Sequence, residues 1–157
     1  MVLSFLGKER IVEVVKVLDF NSTRKRMSII IKTEKGYELF CKGADNVIEE
    51  RLDRSGSVND PAILKMTEDR LNEFSDIGLR TLMVAWRPMN EAEYKAYCSV
   101  LDEAENAIDD REERVMEAYE TVEKDLIYAG CTAIEDKLQD ELPETIEYLL
   151  NVRFNLW

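Results

Sequence analysis

The chain has 157 residues, 45% hydrophobic and 34% charged, which is one ordinary globular domain with enough apolar mass for a core. It has no histidine, and its three cysteines (Cys41, Cys98, Cys131) are scattered, so histidine-activated nucleophiles and histidine metal sites are excluded and the thiols read as small buried hydrophobes of a reducing compartment. A net charge of −12 argues against non-specific nucleic-acid binding, yet residues 1–42 carry nine Lys and Arg against five Asp and Glu, a net of +4 that an anionic small ligand would choose.

In chain order, the opening VLSFLGKER lacks the basic flank and small-residue cleavage site of a secretory signal. Residues 11–20 are dense in β-branched side chains and predict a strand. NSTRK (21–25) is a turn, residues 25–33 a second strand, and 36–42 a third. The EKG link places Gly36 where a three-residue hairpin loop wants a positive φ.

A helix is expected over 44–52, with acids in its first turn, then a loop through DRSGSVN. Asp60 as N-cap and Pro61 at N1 open the next helix, with Ile63, Leu64, Leu71, Phe74 and Ile77 as its apolar face and Gly78 just past its end. Residues 79–86 return as a strand. Asn90 with Glu93 forms a capping signature for a helix whose stripe is Tyr94, Tyr97, Cys98, Leu101 and Ile108. Asp110 with Glu113 repeats that signature, with Val115, Tyr119, Val122 and Leu126 inward. LIYAGCTAI (126–134) is a strand, its nine uncharged residues far too few to span a bilayer. Pro143 starts an amphipathic helix, and RFNLW reads as a short strand. Strands first, then helices interleaved with later strands, predict an α+β fold: an antiparallel β-sheet flanked by helices.

No glycine spacing matches a Walker loop or a dinucleotide fingerprint, so a bound nucleotide would need a strand-face pocket. Thirteen acids lie in 91–125; two solvated helix faces explain them better than a metal or carboxylate pair. Phe20 ends a strand beside a polar turn, and its default reading is a core aromatic; the functional one is a stacking platform for a planar base. Arg24, Lys25 and Arg26 form the one dense basic cluster, with surface decoration as the default. Alternation along a strand sets Lys25 and Met27 on one face and turns Arg26 away. Lys42 and Arg80 each sit near a glycine at an edge of regular structure and read as solvated unless an anion approaches. Asp45, in the first turn after Lys42, discourages a phosphate from that helix N-terminus.

Four segments together resemble the nucleotide-binding domain of type IV P-type ATPases, the phospholipid flippases: DFNSTRKRMSIII (19–31), FCKGADNVIEERL (40–52), GLRTLMVAWR (78–87) and TAIEDKLQDELPETIEYLL (132–150). They occur in the family's order, with a DREE-like stretch at 110–113, and the resemblance covers nearly everything from about residue 11. It implies a domain that holds ATP and presents the γ-phosphate to an aspartate on a neighbouring phosphorylation domain. By motif, Phe20 stacks on adenine, Lys42 lines the base and ribose side with Gly43 allowing close approach, and Arg80 contacts phosphates. Lys25 matches a phosphate-side lysine of related pumps, and Met27 and Ser22 border the pocket.

The resemblance further implies residues 1–133 as the nucleotide-binding domain, lacking an upstream acidic segment, and 134–157 as the truncated start of the phosphorylation domain. The DKTGT, TGD and GDGxND motifs are absent, so the chain is expected to bind ATP without hydrolysing it, and to hold no catalytic residue or metal ligand of its own. Mg²⁺ would be held by the ATP phosphates and the phosphorylation domain. Implied partners are the phosphorylation, actuator and transmembrane domains of the same polypeptide, an accessory membrane subunit, and a phospholipid in the intact pump, at the cytosolic face of a membrane. In DELPET, Glu141 and Leu142 replace the family's usual Gly-Val. The alternative is a non-catalytic acidic interaction domain with a vestigial nucleotide pocket, whose helices at 90–125 dock on a basic partner.

Overall fold

A computed structural model describes residues 2–5, 7–137 and 139–154. Five strands form one antiparallel meander in the order β3 (Glu13–Asn21), β4 (Arg26–Thr33), β5 (Gly36–Gly43), β6 (Arg80–Met89) and β7 (Ile127–Ile134). A separate hairpin, β1 (Val2–Phe5) with β2 (Lys8–Ile11), precedes it and was not anticipated by the pattern of the sequence. Between β5 and β6 lie α1 (Asp45–Glu49) and α2 (Pro61–Asp76); between β6 and β7 lie α3 (Glu91–Glu105) and α4 (Arg111–Glu120); α5 (Leu142–Asn151) follows the sheet. This is the expected α+β arrangement.

The local chemistry explains most boundaries. Gly36 has φ +130° in the β4–β5 turn, where a Cβ would strike the Met89 carbonyl oxygen. Asp60 accepts from the Ala62 amide at 2.8 Å, and Pro61 occupies the first turn of α2. That helix closes with Gly78 N–H donating to the Ser75 carbonyl and Leu79 N–H to the Phe74 carbonyl. Asn90 and Glu93 exchange reciprocal bonds of 2.9 and 2.8 Å at the start of α3.

Asp110 does not cap α4. It adopts a left-handed φ of +55°, whereas capping needs an extended backbone that lets the carboxylate fold back onto the first turn. The helix expected over 44–52 ends at Glu49 because the chain beyond it pairs elsewhere: Leu126 N–H donates to the Arg51 carbonyl, and Asp53 N–H to the Leu126 carbonyl. At the C-terminal end, Arg153 and Phe154 are not strand, and 155–157 of the expected RFNLW strand lie outside the described residues.

Side chains alternate across the sheet and give it two unlike faces. Leu18, Ile30, Leu39, Cys41, Met83 and Ala85 are buried against Ile48 of α1, Leu71 of α2, Tyr97 and Leu101 of α3 and Ala118 of α4. A fully buried leucine such as Leu39 contributes about 2 kcal/mol of transfer free energy. Cys41 belongs to this core and burial pushes its thiol up to about 11, while Cys98 and Cys131 are only half-buried. The opposite face carries Met27, Ile29, Phe40, Lys42, Val84 and Trp86, all half-buried or exposed, with the Phe40 and Trp86 rings stacked at 6.3 Å. Three expected apolar positions miss the core: Ile63, Ile77 and Ile108 are exposed, Ile108 at 96% because it lies in the loop between α3 and α4.

Candidate functional site

The β3–β4 turn is fixed by a set of local bonds centred on Asn21. Asn21 Oδ1 accepts from the Thr23 amide at 2.7 Å and the Arg24 amide at 3.4 Å, and the Asn21 carbonyl accepts from the Lys25 amide at 2.7 Å. Lys25 is driven to φ +51°, so it stands in the turn and β4 begins one residue later than expected. The Lys25 carbonyl in turn accepts from the Ala44 amide at 3.1 Å. Gly43 faces Arg26 in the register, so close that an added Cβ would lie 2.6 Å from both the Lys25 oxygen and the Arg26 Cβ.

Sequence pattern treats Arg24 and Arg26 as surface decoration; the structure corrects this. Both guanidiniums are buried and converge on Glu123, which is 0% exposed. Arg24 Nη2 meets Glu123 Oε1 at 2.5 Å, Arg26 Nε meets Oε2 at 2.7 Å, and Ser28 Oγ donates to Oε1 at 2.6 Å. Arg24 also donates to the Asp19 carbonyl at 2.7 Å and lies 4.7 Å over the Tyr119 ring. Arg26 pairs as well with Glu120, which Arg51 reaches at 2.9 Å. Burial pushes the Glu120 carboxyl up, but the Arg26 and Arg51 guanidiniums outweigh it and hold the group below its ordinary value. For Arg26, desolvation is likewise overcome by Glu123 and Glu120, and its affinity for the proton rises.

Glu123 is therefore the exception to the solvated acidic faces expected over 91–125. Its position carried a signal: it lies four residues after Tyr119 and one after Val122, on the inward stripe itself. A lone acid there requires a cationic partner from elsewhere in the chain.

Around this anchor, the residues singled out from sequence are placed as follows. Phe20 is not a core aromatic. It is 64% exposed at the end of β3, beside a register shift between Leu18 and Asn21, and lines a cavity of about 460 Å³ with Asp19, Asn21, Arg24, Arg111 and Tyr119. Ser22 and Lys25 project into solvent from the turn. Met27 and Lys42 are cross-strand partners on the open sheet face and share a smaller cavity of about 220 Å³ with Phe40 and Val84. Phe20 and Lys42 thus line separate cavities. Lys42 pairs in register with Val84, and Arg80 lies four residues before it on β6, roughly 13 Å away on the same face. Arg80 contacts Asp136 at 2.5 Å, in the segment between β7 and α5.

Lys25, Lys42, Arg80 and Phe20 are thus exposed on the β3–β4 turn, β5, β6 and the end of β3, and do not converge on one cavity. Among the described residues no group of three or more His, Cys, Asp or Glu could hold a metal ion. No described helix is long and apolar enough to cross a membrane.

Comparison with known proteins agrees with the motifs. The family model described as "P-type ATPase, cytoplasmic domain N" matches residues 8–141. Phospholipid-transporting ATPase DRS2 of Saccharomyces cerevisiae is 44% identical over 100% of this chain, and phospholipid-transporting ATPase IC of Homo sapiens is 44% identical over 99%. The probable phospholipid-transporting ATPase 12 of Arabidopsis thaliana is 42% identical over 95%. The chain spans only 11–12% of the length of these relatives.

Proposed function

The chain belongs to the family of P-type ATPase cytoplasmic N domains, and from that premise we propose that it is the ATP-binding domain of a phospholipid-transporting pump. The observation that carries the reading is Phe20. A large aromatic that apolar burial would normally remove from water is instead held 64% exposed, at the mouth of a turn fixed by backbone bonds and buried ion pairs. Such a ring is free to stack on adenine.

Lys42 and Met27 then border the base and ribose, Ser22 borders the pocket, and Lys25 and Arg80 face the phosphates; Gly43, expected to admit close approach of the ligand, is instead buried, and its missing Cβ makes room for Lys25 and Arg26. Lys25 and Arg80 are cations on exposed side chains, as contacts to a triphosphate require, and Arg80 would exchange Asp136 for them. Mg²⁺ would travel with those phosphates, neutralising part of their charge; this chain's own residues do the binding and orienting. The phosphorylated aspartate would belong to another part of the same polypeptide, so phosphoryl transfer and lipid movement would be properties of the whole pump at the cytosolic face of its membrane. The proposed boundary puts 1–133 in the nucleotide-binding domain and 134–157 at the start of the phosphorylation domain. In support, α5 has no buried residue and exposes Ile146 and Leu150, as a helix made to pack elsewhere would.

The test is titration of ATP and ADP into the isotopically labelled chain. Amide shifts are expected around 20–27, 42–43 and 80. Phe20→Ala should leave the fold intact and weaken binding about tenfold, since stacking a base on an aromatic is worth about 1–3 kcal/mol. No shifts at those positions, or shifts confined to the acidic helices at 91–125, would refute the reading, the second result favouring an acidic interaction domain.

A further inference from the structure

Three consecutive basic residues, Arg24, Lys25 and Arg26, share one turn, yet they have opposite fates. Arg24 and Arg26 are buried, as is Ser28, and all three reach the same carboxylate: Arg24 and Ser28 to Oε1 of Glu123, Arg26 to Oε2. From Arg26 onward the chain is extended, so fixing 26 and 28 inward leaves Met27 only the outward side, while Arg24, held inward just before it, leaves Lys25 exposed at the last position of the turn. A slip of one residue along β4 would turn Arg26 and Ser28 away from Glu123.

Lys25 also occupies a left-handed backbone conformation at φ +51°, which a lysine adopts only where its surroundings dictate it. Those surroundings are the Asn21 carbonyl, which takes its amide, and its two neighbours. Arg26 Nη1 donates to the Arg24 carbonyl at 3.1 Å, closing the turn beneath Lys25, and Glu123 ties both guanidiniums to the segment that follows α4. Glu123 touches no surface a nucleotide could reach, being fully buried.

We propose that Glu123 is a positioning residue for nucleotide binding: from the opposite end of the chain it decides which cation of the Arg-Lys-Arg run is presented to the phosphates and which two are held inside. The inference rests on the reading above, in which Lys25 faces the phosphates, and extends it to a residue that never meets the ligand. It also explains the choice of arginine on both flanks. A planar guanidinium can serve the carboxylate and a backbone carbonyl at once, as both Arg24 and Arg26 do here, whereas an ammonium acts as a point charge.

The test is a double-mutant cycle on ATP affinity, measured by calorimetry on the whole chain, with folding checked by circular dichroism. Lys25→Gln should weaken ATP binding on the order of fivefold, as for loss of a partly solvated charge pair. Glu123→Gln should weaken it to a similar degree, and the double variant should bind no more weakly than Lys25→Gln alone, because Glu123 acts through Lys25. If Glu123→Gln does not fold, Glu123→Asp, whose shorter side chain cannot span both guanidiniums, takes its place in the same cycle. Independent, multiplying effects, or a folded Glu123 variant with unchanged affinity, would overturn the inference alone. A Lys25→Gln effect below twofold would overturn it together with the assignment of Lys25 to the phosphates.

Discussion

Replacing Gly43 by alanine sets two physical effects against each other, and the sign of the result decides between them. Gly43 does not have a positive φ, so alanine is conformationally permitted there. On chain entropy alone the substitution would stabilise by about 0.4–1 kcal/mol. Against this, the new Cβ would lie 2.6 Å from the Lys25 oxygen, 2.6 Å from the Arg26 Cβ and 2.9 Å from the Arg26 Cα. None of these is the far end of a flexible side chain. Relief would require β4 and β5 to part at Arg26, and Arg26 is anchored to Glu123 and Glu120. Overpacking of this kind costs about 1–3 kcal/mol, and the anchoring puts Gly43 toward the upper end. The net expectation is a loss of about 2 kcal/mol, or roughly 4–8 °C in Tm for a domain of this size. Urea denaturation followed by circular dichroism measures it, with Gly78→Ala as the comparison, since a Cβ at Gly78 meets open space and its cost comes only from the φ of +78°. A Gly43→Ala midpoint equal to or above that of the unsubstituted chain would refute the argument that the strands cannot separate there.

Two further outcomes follow from single groups. Pairing holds the folded-state carboxyl of Glu120 below its ordinary value, so its contribution is present above the unfolded-state pKa and is lost as pH falls through the lowered folded value. Urea midpoints should therefore drop as pH is taken below about 4.5, and Glu120→Gln should shallow that dependence; identical pH profiles would show that Glu120 is not coupled to folding. Glu141, at φ +63° immediately before α5, occupies backbone suited to glycine, and Glu141→Gly should relieve about 1 kcal/mol of local strain. Because α5 is not buried against the sheet, the gain should appear as slower amide exchange in residues 142–151 with the global midpoint unchanged, and unaltered exchange would count against it.

How legible the molecule was depends on how far apart the deciding groups lie in the chain. The β4–β5 hairpin, the Asp60–Pro61 start, the Gly78 stop and the Asn90–Glu93 box are all written within four or five residues, and the structure reproduces each of them. Where local pattern failed, a distant partner had intervened. The helix after Lys42 stops early because Arg51 and Asp53 bond across to Leu126, more than seventy residues on. The basic cluster looked superficial because Glu123, its counter-charge, is 97 and 99 residues from Arg26 and Arg24 and sat unnoticed among thirteen acids. Asp110 is a different failure: the correct residue type for a cap stands there, but the preceding loop turns its backbone left-handed.

The basic character of the first 42 residues shrinks for the same reason. Charge counting along the first 42 residues suggested a basic surface of nine cations, but two of the three in its densest cluster are internal and neutralised. The field proposed for the nucleotide is narrower than the composition implies: Lys25, Lys42 and Arg80, on one turn and two neighbouring strands, with the exposed ring of Phe20 beside the turn. A nucleotide held by so few groups would gain from their fixed spacing as well as from their charge. What holds the turn of Lys25 against β5 is buried: the Gly43 contact that locks β5 to the turn, and the carboxylate of Glu123 behind it. In the proposed site, the turn that carries Lys25 is specified from inside the core.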